Sequence, residues 1–212
     1  VIKTRGLTVK NSVPSAPSCG PLTLASTIVG GGQTTVITGQ GILATNTAGT
    51  SANNTVTQGA ESITSNTAIL HFEAYFDSII TAGTFGIGFS QTSPFLPVSF
   101  PFSAVQCNPV TSDVFDPLSA SSIGTSAMAS GSYRIALDLN MATGIAAFKD
   151  NQGTTGNLAM MGFNNANPVY LLAACNSGNG IGNSAGITLN AEGSLSNPFL
   201  LPTLGSIPYC QG

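Results

Sequence analysis

The sequence predicts an all-β fold, an antiparallel β-sandwich or jelly roll with long Pro- and Gly-rich loops and an extended N-terminal arm. Three observations predict it. Apolar and polar residues alternate over short runs, the pattern of a strand with one buried face. Turn-forming residues interrupt those runs at close intervals, with 25 Gly and 12 Pro in 212 residues. No stretch repeats its apolar residues at the period of about 3.6 that marks an amphipathic helix. About ten to twelve short strands are expected on this pattern.

The clearest stretch is ILHFEAYFDSIITAGTFGIGFS, residues 69 to 90. Leu70, Phe72, Ala74 and Phe76 alternate with His71, Glu73, Tyr75 and Asp77. After Thr81-Ala82-Gly83, Phe85, Ile87 and Phe89 alternate with Thr84, Gly86, Gly88 and Ser90. The expectation is a hairpin at the centre of the sandwich. Its Gly, Thr and Ser side leaves room for another layer to approach.

Charged residues make up 6% of the chain, against roughly 25% in an average soluble protein. No apolar run approaches the roughly 18 residues of a transmembrane helix, so no membrane span is expected. Beyond residue 10 the only cations are Arg134 and Lys149. A chain without a basic patch is not expected to bind nucleic acid. A Ser, Thr, Asn and Gly surface lacks the charge repulsion that keeps cytosolic proteins apart. It suits an extracellular, cell-surface or virion-surface location, and packing against copies of the same chain. The chain begins at Val1, for which removal of a leader is the expected reason.

Taken in order, residues 1–18 form an N-terminal arm. It carries Lys3, Arg5 and Lys10, three of the five cations, and its strand-forming residues could complete a neighbour's sheet. Residues 19–196 form the sandwich. Strands are expected near Leu22–Val29, Thr34–Thr38 and Gly41–Thr45. Gly30-Gly31-Gly32 is a turn; no Lys-Ser/Thr follows, so it is not a phosphate loop. A polar loop spans residues 46–57, with an Asn-x-Thr glycosylation candidate at Asn53. Residues 91–131 hold five prolines and read as a long loop, of the kind that packs on a partner. Short apolar pieces at Phe95–Phe102 and Val114–Leu118 suggest edge strands or turns within it. Asp113 and Asp116 lack the dense pattern of a calcium loop and read as solvated. Ser132–Leu139 and Ile145–Lys149 are strands joined by the turn Asn140–Gly144, with a further turn at Asp150–Gly156. Val169–Cys175 is a buried strand, and Ile187–Asn190 closes the regular part. Residues 197–212 are a surface tail.

Cys19, Cys107, Cys175 and Cys210 form no CxxC or Cys/His metal pattern. They are disulfide candidates of an oxidising compartment, with three connectivities open. Cys107 is expected in a loop. Cys175 follows the apolar run VYLLAA and also fits a buried free thiol.

Three blocks now stand in a recognisable order: ILHFEAYFDSI with GTFGIGFS, then GSYRIALDLNMATGIAAFKDNQGTTG, then PVYLLAACNSG with AGITLN. The order resembles the SPRY family of concanavalin-like β-sandwiches over about residues 34–191. The chain departs from the usual form in having no Trp, in carrying DNQG where an Asn-Gly turn is usual, and in the insertion 91–131. The resemblance implies a non-catalytic scaffold with ligand contacts in loops at one edge. It carries no binding site over by name.

No residue pattern specifies an enzyme. His71 is the single histidine and sits mid-strand, with no G-x-S-x-G elbow anywhere. It reads as a structural histidine bonded to a neighbouring strand. Glu73 with Asp77 could mimic a glycosidase pair, but no Trp and four Tyr supply few sugar platforms. Arg134 and Asp138 are expected to pair across strands with partners such as Glu73 or Lys149. No cofactor is expected. The first expectation is a non-catalytic structural or adhesive subunit of an extracellular or virion surface assembly, built from copies of itself through the arm and loop 91–131. The alternative is a monomeric SPRY- or lectin-like recognition module that binds a glycan or protein through its loops.

Overall fold

A computed structural model describes residues 24–28, 31–38, 41–49, 55–64, 68–80, 83–91, 103–116, 119, 121–129, 131–160, 162–189, 200 and 206–208. They contain fifteen strands and no helix. The first six are β1 (Leu24–Ile28), β2 (Gln33–Thr38), β3 (Gly41–Asn46), β4 (Thr55–Ile63), β5 (Ile69–Ile80) and β6 (Thr84–Ser90). Next come β7 (Ser103–Asn108), β8 (Asp113–Asp116), β9 (Ser121–Thr125), β10 (Arg134–Asn140) and β11 (Ile145–Asp150). The last are β12 (Thr155–Ala159), β13 (Val169–Asn176), β14 (Ser184–Leu189) and β15 (Ser206–Pro208).

Seven strands form one sheet in the order β1-β4-β13-β6-β7-β8-β9. The other runs β12-β11-β10-β5-β14-β3-β2, with β15 added beside β5. All pairings are antiparallel except the parallel pair of β15 and β5. The core lies between the sheets. Its largest members are Phe72, Phe76, Phe85, Phe89, Tyr133 and Phe148.

The central hairpin is corrected. β5 pairs with β10 and β14, whereas β6 pairs with β13 and β7. The two strands lie in opposite sheets, so the link between them is an arch. Both strands carry phenylalanines on one face. A hairpin would line those rings up within one sheet; the arch sets them against each other across the core. Phe76 stacks on Phe85 with ring centroids 4.5 Å apart and planes 6° apart. Phe72 meets Phe89 edge-on at 6.3 Å. The small residues of β6 have a backbone reason: a Cβ on Gly86 would sit 2.4 Å from the Val105 carbonyl oxygen of β7.

Residues 91–131 are corrected in part. Within them β7, β8 and β9 form an antiparallel meander that extends the seven-stranded sheet. Pro109 falls at the β7–β8 turn, where its missing N–H breaks no ladder. Asp113 and Asp116 accept hydrogen bonds from Ser122 and Ser119, at 2.6 Å each. Strand β4 begins at Thr55 inside the expected polar loop 46–57. Likewise β12 begins at Thr155 inside the expected turn, and β14 begins at Ser184. The Asn140–Gly144 turn is as expected: Asn140 Oδ1 accepts the Ala142 N–H at 2.9 Å and Gly144 takes φ +70.

Cys107 is within β7, not in a loop, and is fully buried. Cys107 and Cys175 are both free thiols. They flank Phe85 in the register, one on each neighbouring strand. Two strand spacings of about 4.8 Å separate them, beyond the roughly 7 Å limit of a disulfide. Burial pushes the Cys175 thiol up to about 12 and raises Cys107 as well. Alkylation at mild alkaline pH is therefore expected to leave both unlabelled until denaturant is added, read by peptide mass spectrometry. Labelling of either thiol in the folded protein would contradict this packing. Cys19 and Cys210, Asn53, and the arm residues Lys3, Arg5 and Lys10 lie outside the described residues.

A buried polar junction ties the strands at one end of the core. Asp150 closes β11, and its Oδ2 accepts the Tyr133 hydroxyl at 2.8 Å and the Ser126 hydroxyl. Its Oδ1 accepts the N–H groups of Gln152 and Thr154 at 2.9 and 2.8 Å. At another point between the sheets Gln33 of β2 bonds Ser177, just beyond β13, through both the Ser177 hydroxyl and N–H.

Candidate functional site

The second face of β5 was expected to be its polar, exposed side. Instead His71 and Glu73 are fully buried. They lie on the outer face of the eight-stranded sheet, opposite Leu70, Phe72 and Ala74, which enter the core. Antiparallel register sets His71 against Asp138 and Glu73 against Ala136 on β10. β11 then places Ala147 beside Asp138 and Lys149 beside Ala136. β12 continues the same face with Asn157 opposite Ala147 and Thr155 opposite Lys149. A period of two in four adjacent strands thus gathers one row of polar side chains.

The row forms a connected charge cluster. His71 Nδ1 lies 2.5 Å from Asp138 Oδ1, and Lys149 Nζ donates to Asp138 Oδ2 at 2.7 Å. His71 Nε2 is 3.5 Å from Glu73 Oε2, an ion-pair distance without a formed hydrogen bond. Glu73 Oε2 accepts the Leu200 N–H at 2.9 Å. Burial alone works against the imidazolium. The Asp138 bond and the Glu73 carboxylate outweigh it and hold the His71 pKa above its ordinary value. With His71 protonated, two cations and two carboxylates cancel. At the end of the row Arg134 lies over the Tyr75 ring, 4.8 Å from its centroid. The expected cross-strand pairing is therefore found for Asp138 with Lys149, whereas Arg134 faces Tyr75.

The cluster grades from buried to open. His71 and Glu73 are sealed, Asp138 is nearly so, Lys149 is partly exposed, and Thr155 and Asn157 face solvent. Asp138, Ala147, Phe148, Lys149, Thr155, Gly156 and Asn157 line a groove of about 260 Å³. The groove offers a carboxylate acceptor, an ammonium donor, an amide and a hydroxyl over a floor of small residues. That chemistry suits a neutral ligand rich in hydroxyls. Among the described residues, no group of three His, Cys, Asp or Glu side chains is placed to hold a metal ion.

Comparison with known proteins agrees with this architecture. No protein-family model matches the sequence, and no curated protein matches it. Solved structures do. A legume lectin-like domain from Entamoeba histolytica superposes with TM-score 0.52 at 10% identity, covering 77% of this chain and 86% of that one. The carbohydrate-binding module CBM66 from Bacillus subtilis gives 0.50 at 9%, covering 80% and 93%. The fold is an antiparallel β-sandwich similar to those of these two domains. A human SPRY domain also matches, at TM-score 0.48 and 12% identity over 78% of this chain and 97% of that one. Likeness at these identities speaks to fold alone.

His71, Glu73, Asp138 and Lys149 were all noted in the sequence, and the structure brings them together. Asp77 has no described side chain. Thr155 and Asn157 were missed. The alternation of Thr155 and Asn157 around Gly156, directly after the DNQG turn, was the available signal.

Proposed function

We propose that the protein is a recognition module that binds a glycan, and not an enzyme. The groove between Asp138 and Asn157 carries this reading. Its paired charges, amide and hydroxyl could exchange hydrogen bonds with sugar hydroxyls, while Ala147 and Gly156 leave room for a ring to approach. Two structural neighbours, a legume lectin-like domain and a carbohydrate-binding module, support the same ligand class. Glu73 is a poor candidate for glycoside hydrolysis, because its carboxylate is sealed and bonded to Leu200. A location outside the cytosol fits the low charge of the chain. The alternative of assembly from copies of the chain has lost one support. Part of the loop that was to pack between subunits forms strands β7, β8 and β9 of the protein's own sheet.

The test is a glycan array followed by calorimetry on the selected sugar. Asn157→Ala and Thr155→Ala alter exposed side chains and should each weaken binding about three- to tenfold, the worth of one hydrogen bond. Their unfolding midpoints should stay unchanged. A folded protein that binds no glycan at millimolar concentrations would end this reading.

A further inference from the structure

We infer that the groove selects uncharged sugars over acidic ones, with Lys149 as the specificity-determining contact and Asp138 as the residue that positions and neutralises it. This inference rests on the glycan reading of the groove. It begins with the strand register. His71, Asp138, Ala147 and Asn157 stand in one cross-strand row, and Glu73, Ala136, Lys149 and Thr155 in the next. Asp138 and Asn157 are two strand spacings of about 4.8 Å apart, and Ala147 between them is too small to fill the gap. Lys149 reaches diagonally from its own row to Asp138, with Nζ 2.7 Å from Oδ2.

The two members of this pair face the groove differently. Asp138 is 2% exposed, and each of its oxygens already has a partner. Oδ1 lies 2.5 Å from His71 Nδ1, and Oδ2 accepts from Lys149. Lys149 keeps 22% of its side chain exposed. An ammonium has three donors and Asp138 takes one, so the others are left for a ligand. The Asn157 amide and the Thr155 hydroxyl are exposed beside it. The groove thus meets a ligand mainly with donors, and what it binds is acceptor oxygen.

A hydroxyl, a ring oxygen and a carboxylate all accept; charge separates them. Asp138 cancels Lys149 at contact distance. Behind them His71 and Glu73 add nothing when the imidazole is protonated and one negative charge when it is not. In either state the cluster is never positive. Arg134 is the only other cation beyond residue 10. It stands four residues from Asp138 along β10, roughly 13 Å, and lies over the Tyr75 ring. A ligand carboxylate on Lys149 Nζ would therefore lie near the buried carboxylate of Asp138, with no second cation to offset the repulsion. An uncharged oxygen takes the same donors without that cost, so the pair acts as a device against acidic ligands.

The test uses a matched pair of sugars: a neutral oligosaccharide selected on the array, and the same sugar with one primary hydroxyl oxidised to a carboxylate. Calorimetry on the full chain should show the neutral member bound about tenfold more tightly. Asp138→Asn keeps the shape and removes the charge. It should shift the preference toward the acid by about tenfold or more, and added salt should shrink that gain. Damage to the fold would not create salt-sensitive binding of an acid. Lys149→Gln should weaken the neutral sugar about tenfold, the worth of a charged donor. If Asp138→Asn fails to fold, the wild-type preference and Lys149→Gln decide. A wild type that binds both members equally or prefers the acid overturns this inference and leaves the groove reading standing. So does a Lys149→Gln protein that binds like wild type while Asn157→Ala still weakens binding. A folded protein that binds neither member overturns both.

Discussion

Phe85→Ala is expected to lower the unfolding free energy by about 4 kcal/mol, within the range for a buried aromatic truncated in a core. Phe85 is fully buried between the two sheets. Its ring lies parallel to Phe76 of the opposite sheet and edge-on to Tyr133, 6.1 Å away. In its own sheet the register neighbours on either side are Cys107 and Cys175, residues too small to fill the space it would leave. Collapse is also resisted by the ladders, because β6 is bonded on both sides. The cavity term therefore adds to the lost transfer energy. Urea unfolding should show a lower midpoint at an unchanged slope. Phe85→Leu retains much of the volume and should lose less, about 1.5 kcal/mol. A loss below about 1 kcal/mol for the alanine variant would mean that the arch does not bring β5 and β6 face to face.

Asp150→Ala is expected to cost about 3 kcal/mol, from buried donors left without an acceptor. One carboxylate serves four donors: the hydroxyls of Tyr133 and Ser126 and the N–H groups of Gln152 and Thr154. The two backbone donors lie at a surface turn and can turn to water. Tyr133 cannot, since it is fully buried. Burial, with the nearby Cys107 and Asp150, raises the Tyr133 pKa and keeps the hydroxyl as a donor. A double-mutant cycle with Tyr133→Phe isolates that bond. Tyr133→Phe should destabilise the wild type by about 1 kcal/mol and have little effect once Asp150 is gone. Equal effects in both backgrounds would show that the two groups act independently.

The candidate site was half legible. His71, Glu73, Asp138 and Lys149 are among the ionisable residues of the alternating blocks, and their alternation put each on one face of its strand. Alternation says nothing of what covers a face. The face of β5 that carries charges looked solvated because a polar face usually is; here the Leu200 N–H lies against it, and β15 pairs along the edge of β5 beside it. The tail gave little sign of this, since three prolines in sixteen residues speak against a strand. A three-residue parallel pairing is too short to have a periodicity of its own.

The sequence alone determined the all-β class, the position of most strands, the inward face of β5, β6 and β10, and the order of blocks that resembles a SPRY-like sandwich. These are local properties: a period of two and turn residues act over a few positions. Strand partners are not local. Residues 81–83 could have closed a hairpin, and only the pairing of β5 with β10 and β14, and of β6 with β13 and β7, separates that from the arch. β4 lacks a clean alternation in TVTQGAESI, yet it is a strand because β1 and β13 supply ladders on both sides. The tertiary structure also decided that Cys107 and Cys175 stand two strands apart as free thiols. It decided as well that four separate charges meet in one buried cluster. In each case the deciding contact joins residues far apart in the chain, where pattern within a single strand has no reach.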